Sequence, residues 1–387
     1  MALVFLHHVV GDLTVGKPEL VEFSEAETVE AAIRAIGDCA EGAIAVWRRR
    51  APQQQHQAHL QPAAEPRAAR FVGMLNSLDV VAFLARSVGD HEKVMRTPVS
   101  EVVTPNPSLL KVVDPGTRLI DALEMMKQGV RRLLVRKSVA WKGAASSGPP
   151  FSSSLPDDKY CLLSREDVVR FLIGCLGALA PIPLSSISSL GAITPHYAHI
   201  EASSPAIEAI RKVPQDPCAI AVVETKSDGT HKIVGDISAY KLWKCDYLAA
   251  AWAMANLSAG QFVIGADDNS TTPISLPDFI INSPVEDIGA SSRPRKFSSR
   301  SIGFFSNQTS QMAVGRLRSM YRGRSAPLTC KHTSSLAAVM AQMLSHRATH
   351  VWVTDAESED ILVGVVSFSD ILHAVTKNPA SAVPPAT

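Results

Sequence analysis

Short apolar runs alternate along this chain with stretches in which apolar residues recur every three or four positions. In 27–36 the apolar positions are Val29, Ala32, Ile33 and Ile36, which predicts a helix, and 44–47 reads as a short strand. A second strand is expected at Phe71, followed by a polar turn and an amphipathic helix beginning near Asp79. The order then repeats. Val112-Val113 precedes the turn Asp114-Pro115-Gly116-Thr117, with a helix over 119–126 and a strand over 131–135. A third round places Ser204 in a capping slot, a helix at 207–210, a strand at 218–223 and one long alanine-rich helix over 247–263. The fourth has Thr333 as a cap, a helix over 336–344, a strand over 350–354, and a strand, turn and helix over 362–375.

The repetition is visible in the letters as well as in the period. Val72-Gly73-Met74-Leu75-Asn76-Ser77-Leu78-Asp79 has counterparts in Cys161-Leu162-Leu163-Ser164-Arg165-Glu166-Asp167, Gly235-Asp236-Ile237-Ser238-Ala239-Tyr240-Lys241 and Gly364-Val365-Val366-Ser367-Phe368-Ser369-Asp370. Aligned on the glycine position, a hydroxyl or amide follows three residues later (Asn76, Ser164, Ser238, Ser367). Three further on stands Asp79, Asp167, Lys241 or Asp370. The pattern predicts an α+β chain of four small domains, each a short sheet with two helices. Their expected bounds are 9–90 with a loop insert at 48–70, 97–180 with an insert at 141–158, 181–265, and 326–377. Between the last two lies a Ser/Arg-rich segment, 266–325, expected to be disordered and to supply an opening strand to the fourth domain.

Length and composition agree with a soluble multidomain chain. Its 387 residues are 46% hydrophobic and 19% charged. The formal net charge of +1 excludes bulk attraction to nucleic acid or an anionic membrane. The six cysteines include no CxxC pair and read as buried, reduced thiols. Residues 1–10 are apolar but lack a basic flank and a small-residue cleavage site, so a targeting presequence is not expected. The uncharged run 171–193 is interrupted by Pro181, Pro183 and serines, and reads as a buried helix and apolar linker instead of a membrane span. Cytoplasmic placement is expected, with the nucleus also open.

Several local motifs carry no weight. Gly11-Asp-Leu-Thr-Val-Gly16-Lys17 spells the body of a phosphate loop, but Pro18 stands where a Ser/Thr hydroxyl is needed, and 20–23 alternates like a strand. His56 with His59, and His196 with His199, have no further ligand cluster. No GxSxG, HExxH or kinase signature is present, so an enzyme is not expected. In the basic insert, Ser298, Ser299, Ser319 and Ser325 lie next to arginines, a context that basophilic kinases favour.

A helix, strand, strand, helix unit ending in Gly, two apolar residues, Ser/Thr and Asp resembles the cystathionine beta-synthase (CBS) domain. Four of them in one chain is similar to the gamma subunit of AMP-activated protein kinase. The runs GVRRLLV, CLLSREDVVRFLIG and KLWKCDYLAAAWAMANLSAGQF resemble plant CBS-domain-containing proteins with four repeats. The resemblance implies pairing of domains into two Bateman modules stacked as a disk. It also implies AMP, ADP or ATP as regulatory ligands, with no required cofactor.

By the same resemblance, Asp79, Asp167 and Asp370 take the ribose position. Asn76, Ser164 and Ser367 take the hydroxyl position, and Thr117 and Thr333 lie before the first helices of their units, where the first unit has Glu27. Arg131, Arg132 and His350 start the strand that would meet phosphate. Ala43 and Ala219 replace the basic residue in the first and third units, and Lys241 replaces aspartate in the third. The expected function is non-catalytic: an adenylate-sensing regulatory or adaptor protein acting on a kinase or metabolic enzyme. The alternative is a nucleotide-independent interaction scaffold, and homodimerisation is left open.

Overall fold

The computed structural model describes residues 4–49, 67–87, 91–137, 159–243, 245–264, 326–358 and 360–377. The segments 141–158 and 266–325, most of 48–70, His56, His59 and the four insert serines lie outside the described residues. Among the described residues the strands form four three-stranded sheets. They are β1 (Phe23–Ser24), β2 (Ala43–Trp47) and β3 (Phe71–Asn76); then β4 (Leu110–Val113), β5 (Arg132–Arg136) and β6 (Tyr160–Ser164). The third sheet holds β7 (His199–Glu201), β8 (Ala219–Thr225) and β9 (His231–Ser238), and the fourth β10 (Thr329–Lys331), β11 (His350–Thr354) and β12 (Leu362–Ser367).

In every sheet the first strand is parallel to the second, and the second is antiparallel to the third. A parallel pair requires a crossover, and each repeat supplies a helical one; the antiparallel pair needs only a loop. The crossovers are Val29–Asp38, Leu119–Lys127 and Leu336–His346, with a 3₁₀ turn running into Ala209–Lys212 in the third repeat. The closing helices are Ser77–Arg86, Arg165–Gly174, the single turn Ala239–Leu242, and Phe368–Thr376.

The local readings need correction at two places. Thr117, Ser204 and Thr333 do not cap helices. The N-caps are Thr28, Arg118, Pro205 and Ser335, and only Thr28 and Ser335 offer an oxygen, to Ala31 N at 3.2 Å and Ala338 N at 3.3 Å. A side-chain oxygen reaches the first free N–H groups only from the residue next to the helix. The expected helix 247–263 breaks into Tyr247–Asn256 and Ala259–Ile264. Leu257 is extended, and Ser258 restarts the helix by accepting from Gln261 N at 3.2 Å. Finally, 9–17, which the letters allow as an entry strand or a linker, is a linker: Val10–Thr14 forms a 3₁₀ turn tied to Thr117 O through Val10 N at 2.9 Å.

Two units emerge, and they cut across the repeats. One comprises Met1–Asn76, Asp90–Tyr197 and Leu328–Thr387, and so contains the first, second and fourth sheets. In it, the second-repeat helices Leu119–Lys127 and Arg165–Gly174 pack with Leu336–His346 and Phe368–Thr376 of the fourth. Leu123, Met126, Leu172, Val339, Met343 and Leu372 are fully buried there. Each such side chain contributes about 1.5–3 kcal/mol of transfer free energy. The first and second sheets pack through Ala45, Trp47 and Phe71 against Leu110 and Leu134. The other unit comprises Ser77–Gly89 and Ala198–Pro327, in which Ser77–Arg86 packs on Tyr247–Asn256.

The repeated glycine has a steric cause. A segment leading into the next repeat crosses β3, donating from Asn106 N to Val72 O at 2.8 Å, and a Cβ on Gly73 would lie 2.7 Å from Thr104 O. The same crossing recurs at β12: Thr194 and Val365 exchange backbone bonds, and a Cβ on Gly364 would lie 2.8 Å from Thr194 O and 2.5 Å from the Ile193 side chain. Gly73→Ala and Gly364→Ala are therefore expected to lower stability by about 1–3 kcal/mol each. Urea denaturation checks this, and an unchanged midpoint in both would contradict it.

Candidate functional site

The register brings the sequence-predicted positions together in each repeat. Across the antiparallel pair, Ala43 faces Asn76, Arg132 faces Ser164, Ala219 faces Ser238, and His350 faces Ser367. The residue that starts the middle strand thus stands beside the residue that ends the last one. The closing helix begins at that point.

At two repeats the helix start is the same construction. Ser164 caps Arg165–Gly174 and Ser367 caps Phe368–Thr376, each in a reciprocal capping box with the aspartate at the third helical position. Asp167 Oδ2 accepts from Ser164 N and Oγ, both at 2.8 Å; Asp370 Oδ2 accepts from Ser367 N at 2.8 Å and Oγ at 2.7 Å. The negative carboxylate also favours the positive end of the helix. At Asp370 the box commits one carboxylate oxygen and leaves the other for a further partner, whereas at Asp167 the box oxygen itself also takes the further partner.

Those further partners differ in charge. Asp370 Oδ1 accepts from Thr194 Oγ1 at 2.8 Å. Asp167 forms an ion pair with Lys17 through Oδ2, and its Oδ1 lies 3.3 Å from Arg170 Nη1. Lys17 is also 3.7 Å from Glu41, and Glu41 pairs with Arg132. The chain Asp167–Lys17–Glu41–Arg132 joins the first repeat to the second, and Lys137 Nζ donates to the Lys17 carbonyl. Side-chain exposures of 8% for Asp167, 19% for Lys17 and 13% for Arg132 place the network largely out of water. Burial pushes the neighbouring Glu166 carboxyl above its usual range; Glu41 adds to this and Arg170 opposes it.

The remaining predicted residues are placed differently. Asp79 is half-buried at the third position of Ser77–Arg86. Arg131 binds Leu109 O through its backbone N–H at 2.8 Å. His350 has no exposed surface, and its ring meets Trp352 edge-on at 5.0 Å. Thr117 is half-buried and Thr333 is exposed. In the third repeat Lys241 pairs with Asp236 at 2.7 Å, a carboxylate that has moved from the helix start onto β9. Burial, and then Asp236, raise the Tyr240 hydroxyl pKa. No group of three or more His, Cys, Asp or Glu among the described residues could hold a metal ion. No helix of the described residues is long and apolar enough to cross a membrane.

Sequence reasoning missed Lys17, Glu41, Thr194 and Asp236. A usable signal was present for two of them, because Lys17-Pro18, Thr104-Pro105, Thr194-Pro195 and Ala326-Pro327 mark the same position before each sheet.

The pattern that defines the CBS domain matches residues 322–377. Over 416 aligned residues the chain is 59% identical to the CBS domain-containing protein CBSX6 of Arabidopsis thaliana, covering 99% of this chain and 97% of that protein. The chain belongs to the family of CBS-domain-containing proteins. CBSX5 of the same plant is 28% identical over 97% of this chain and 98% of its own length. A SNF1-related protein kinase regulatory subunit gamma-like protein of Arabidopsis, PV42b, is 25% identical, covering 81% of this chain and 78% of that protein. Among solved structures, a candidate archaeal homologue of the AMPK gamma subunit from Methanocaldococcus jannaschii shares the fold. Its TM-score is 0.52 at 12% identity, over 94% of this chain and 98% of that one.

Two measurements check this CBS-domain site. Asp167→Ala removes the acidic half of a capping box and leaves the half-buried Lys17 with only the 3.7 Å Glu41 carboxylate among these groups, so it is expected to cost about 2–3 kcal/mol. Asp370→Ala removes a cap and a hydroxyl partner, for roughly 1–2 kcal/mol; equal losses in denaturant melts would contradict the ion-pair reading. Burial pushes the Cys330 thiol up to about 12, so its thiolate is scarce at neutral pH and rises only as pH approaches that value. Iodoacetamide at neutral pH is expected to spare Cys330 in the folded chain and to label it after denaturation, as read by peptide mass spectrometry.

Proposed function

We propose that this CBS-domain protein is a non-catalytic regulatory or adaptor subunit that takes adenine nucleotides at the helix starts of its repeats and thereby biases a protein partner, a kinase or a metabolic enzyme. The observation that carries the reading is the construction at Ser164–Asp167 and Ser367–Asp370. There a carboxylate is fixed by its own capping box with one oxygen turned to a neighbour. A carboxylate held this way is a pre-oriented acceptor for a ribose diol. Asp370 suits this best, since among the described residues its outer oxygen meets the neutral Thr194 hydroxyl, which a ligand hydroxyl replaces without moving charge.

Arg131 and Arg132, at the strand start of the second repeat, are the cations for phosphate, and Thr117 and Thr333 the flanking hydroxyls. Asp79 is the acceptor of the first repeat and His350 the strand-start group of the fourth. The kinase-subunit name of one relative supports the class of partner. Regulation then requires that the nucleotide favour one conformation or assembly over another.

A second reading is favoured by the Lys17–Asp167 and Lys241–Asp236 pairs, which satisfy two of the helix starts internally. On it, the repeats are a scaffold that binds proteins without nucleotide. Isothermal titration of the full chain with AMP, ADP and ATP separates the two. Saturable binding weakened about tenfold or more in Asp370→Ala, the equivalent of ~1.4 kcal/mol, is expected. No heat and no rise in melting temperature with any adenylate would leave the scaffold reading.

A further inference from the structure

Before each sheet the chain passes a residue followed by proline, and at three of the four this residue meets a helix-start side chain. Thr194 donates to Asp370 at 2.8 Å, Lys17 pairs with Asp167, and Lys241 donates to Ala326 O at 3.0 Å. The lysine at position 17 is matched by a second change. Where β3 and β12 have Gly73 and Gly364, with the crossing carbonyl oxygens of Thr104 and Thr194 within 3 Å of a hypothetical Cβ, β6 carries Cys161. A side chain there keeps the crossing segment from settling as closely.

The backbone register agrees. At β3 the bond to the strand residue before the glycine comes from Asn106, two residues past Thr104. At β6 the equivalent bond, to Tyr160 O at 2.7 Å, comes from Leu20, three past Lys17. A threonine hydroxyl reaches a carboxylate from a closely crossing backbone. From a backbone one residue slack, a lysine spans the gap. The Cys161 thiol feels both Lys17 and Lys137, which oppose the rise that burial imposes on its pKa.

We infer that Lys17 is a specificity-determining residue that closes the Asp167 helix start to nucleotides and confines the ligand to the helix start of Asp370; the inference rests on the adenylate reading above for the class of ligand. A ribose diol at Asp370 exchanges one hydroxyl for another. At Asp167 it must displace an ammonium that is largely buried, and separating the two costs both charges their nearest partner in a poorly solvated place, leaving Lys17 to Glu41 and Asp167 to Arg170. Glu41 strengthens the closure, because it is shared between Lys17 and Arg132 and keeps the phosphate-side cation engaged as well.

The test is isothermal titration of the full chain with AMP, ADP and ATP, comparing the natural chain with Lys17→Thr, Lys17→Thr/Asp167→Ala and Asp370→Ala. Lys17→Met, which keeps the packed stem, serves if the threonine variant melts early. Lys17→Thr or Lys17→Met is expected to add a binding event at least about tenfold tighter than any assignable to Asp167 in the natural chain, ~1.4 kcal/mol. Asp167→Ala should remove it again. A gain in the lysine variants supports the inference even if the natural chain binds nothing, in which case only the Asp370 reading falls. Binding in the natural chain that is lost through Asp167→Ala and unmoved by Lys17→Thr overturns the inference. So does the absence of any new binding in both lysine variants.

Discussion

A carboxylate placed at a buried helix start must have every oxygen answered, and much of this structure follows from how that is done. The capping box supplies the first answer from within the repeat, by the Ser164 and Ser367 backbone and hydroxyl groups. A further answer comes from a segment far away in sequence, Lys17 on the same oxygen of Asp167 and Thr194 on the other oxygen of Asp370. For Asp167 the segment leads into the first sheet, so satisfying that carboxylate also docks the first repeat on the second. The glycine in the strand is the steric counterpart of the same contact, clearing the path by which the crossing backbone arrives.

The two solutions are not equivalent. A neutral hydroxyl against Asp370 leaves a site that exchanges partners easily. An ammonium against Asp167, linked onward to Glu41 and Arg132, makes a network in which the loss of one member weakens the pairing of its neighbours. Within the unit that holds the first, second and fourth sheets, one helix start is thus arranged for exchange and the other for permanence. The third repeat takes a further course, moving the carboxylate to Asp236 on β9 and placing Lys241 opposite. Three of the four copies of the motif thus differ in what answers the helix-start residue.

The repeat itself was legible in the sequence. The apolar periods, the recurring glycine and the hydroxyl–aspartate spacing fix four strand–turn–helix units, because each is a local pattern set by side-chain period and capping chemistry. The pairing of Arg132 with Ser164 and His350 with Ser367 follows once the hairpin is recognised. Caps outside the motif were read less well. Thr117, Ser204 and Thr333 have the right chemistry, but the helices begin one or two residues further on, a difference that hydroxyl side chains alone do not signal. The break at Leu257 was likewise hidden in an alanine-rich run, since Ser258 and Gln261 look helical until they are seen to cap each other.

By itself, then, the sequence determined the repeat, the strand and helix order, the α+β class and the residues at each helix start, all of which depend on neighbours within a few positions. Only the tertiary structure decided which carboxylate meets an ammonium and which a hydroxyl. Those partners, 150 residues apart for Lys17 and Asp167 and 176 for Thr194 and Asp370, come together through the crossing of segments between repeats. It also decided that Lys17, which the letters place in a failed phosphate loop, is an internal counter-ion. A lone lysine carries no local mark of its partner; its role is set by the backbone path past Cys161 and by the burial that makes its charge need an answer.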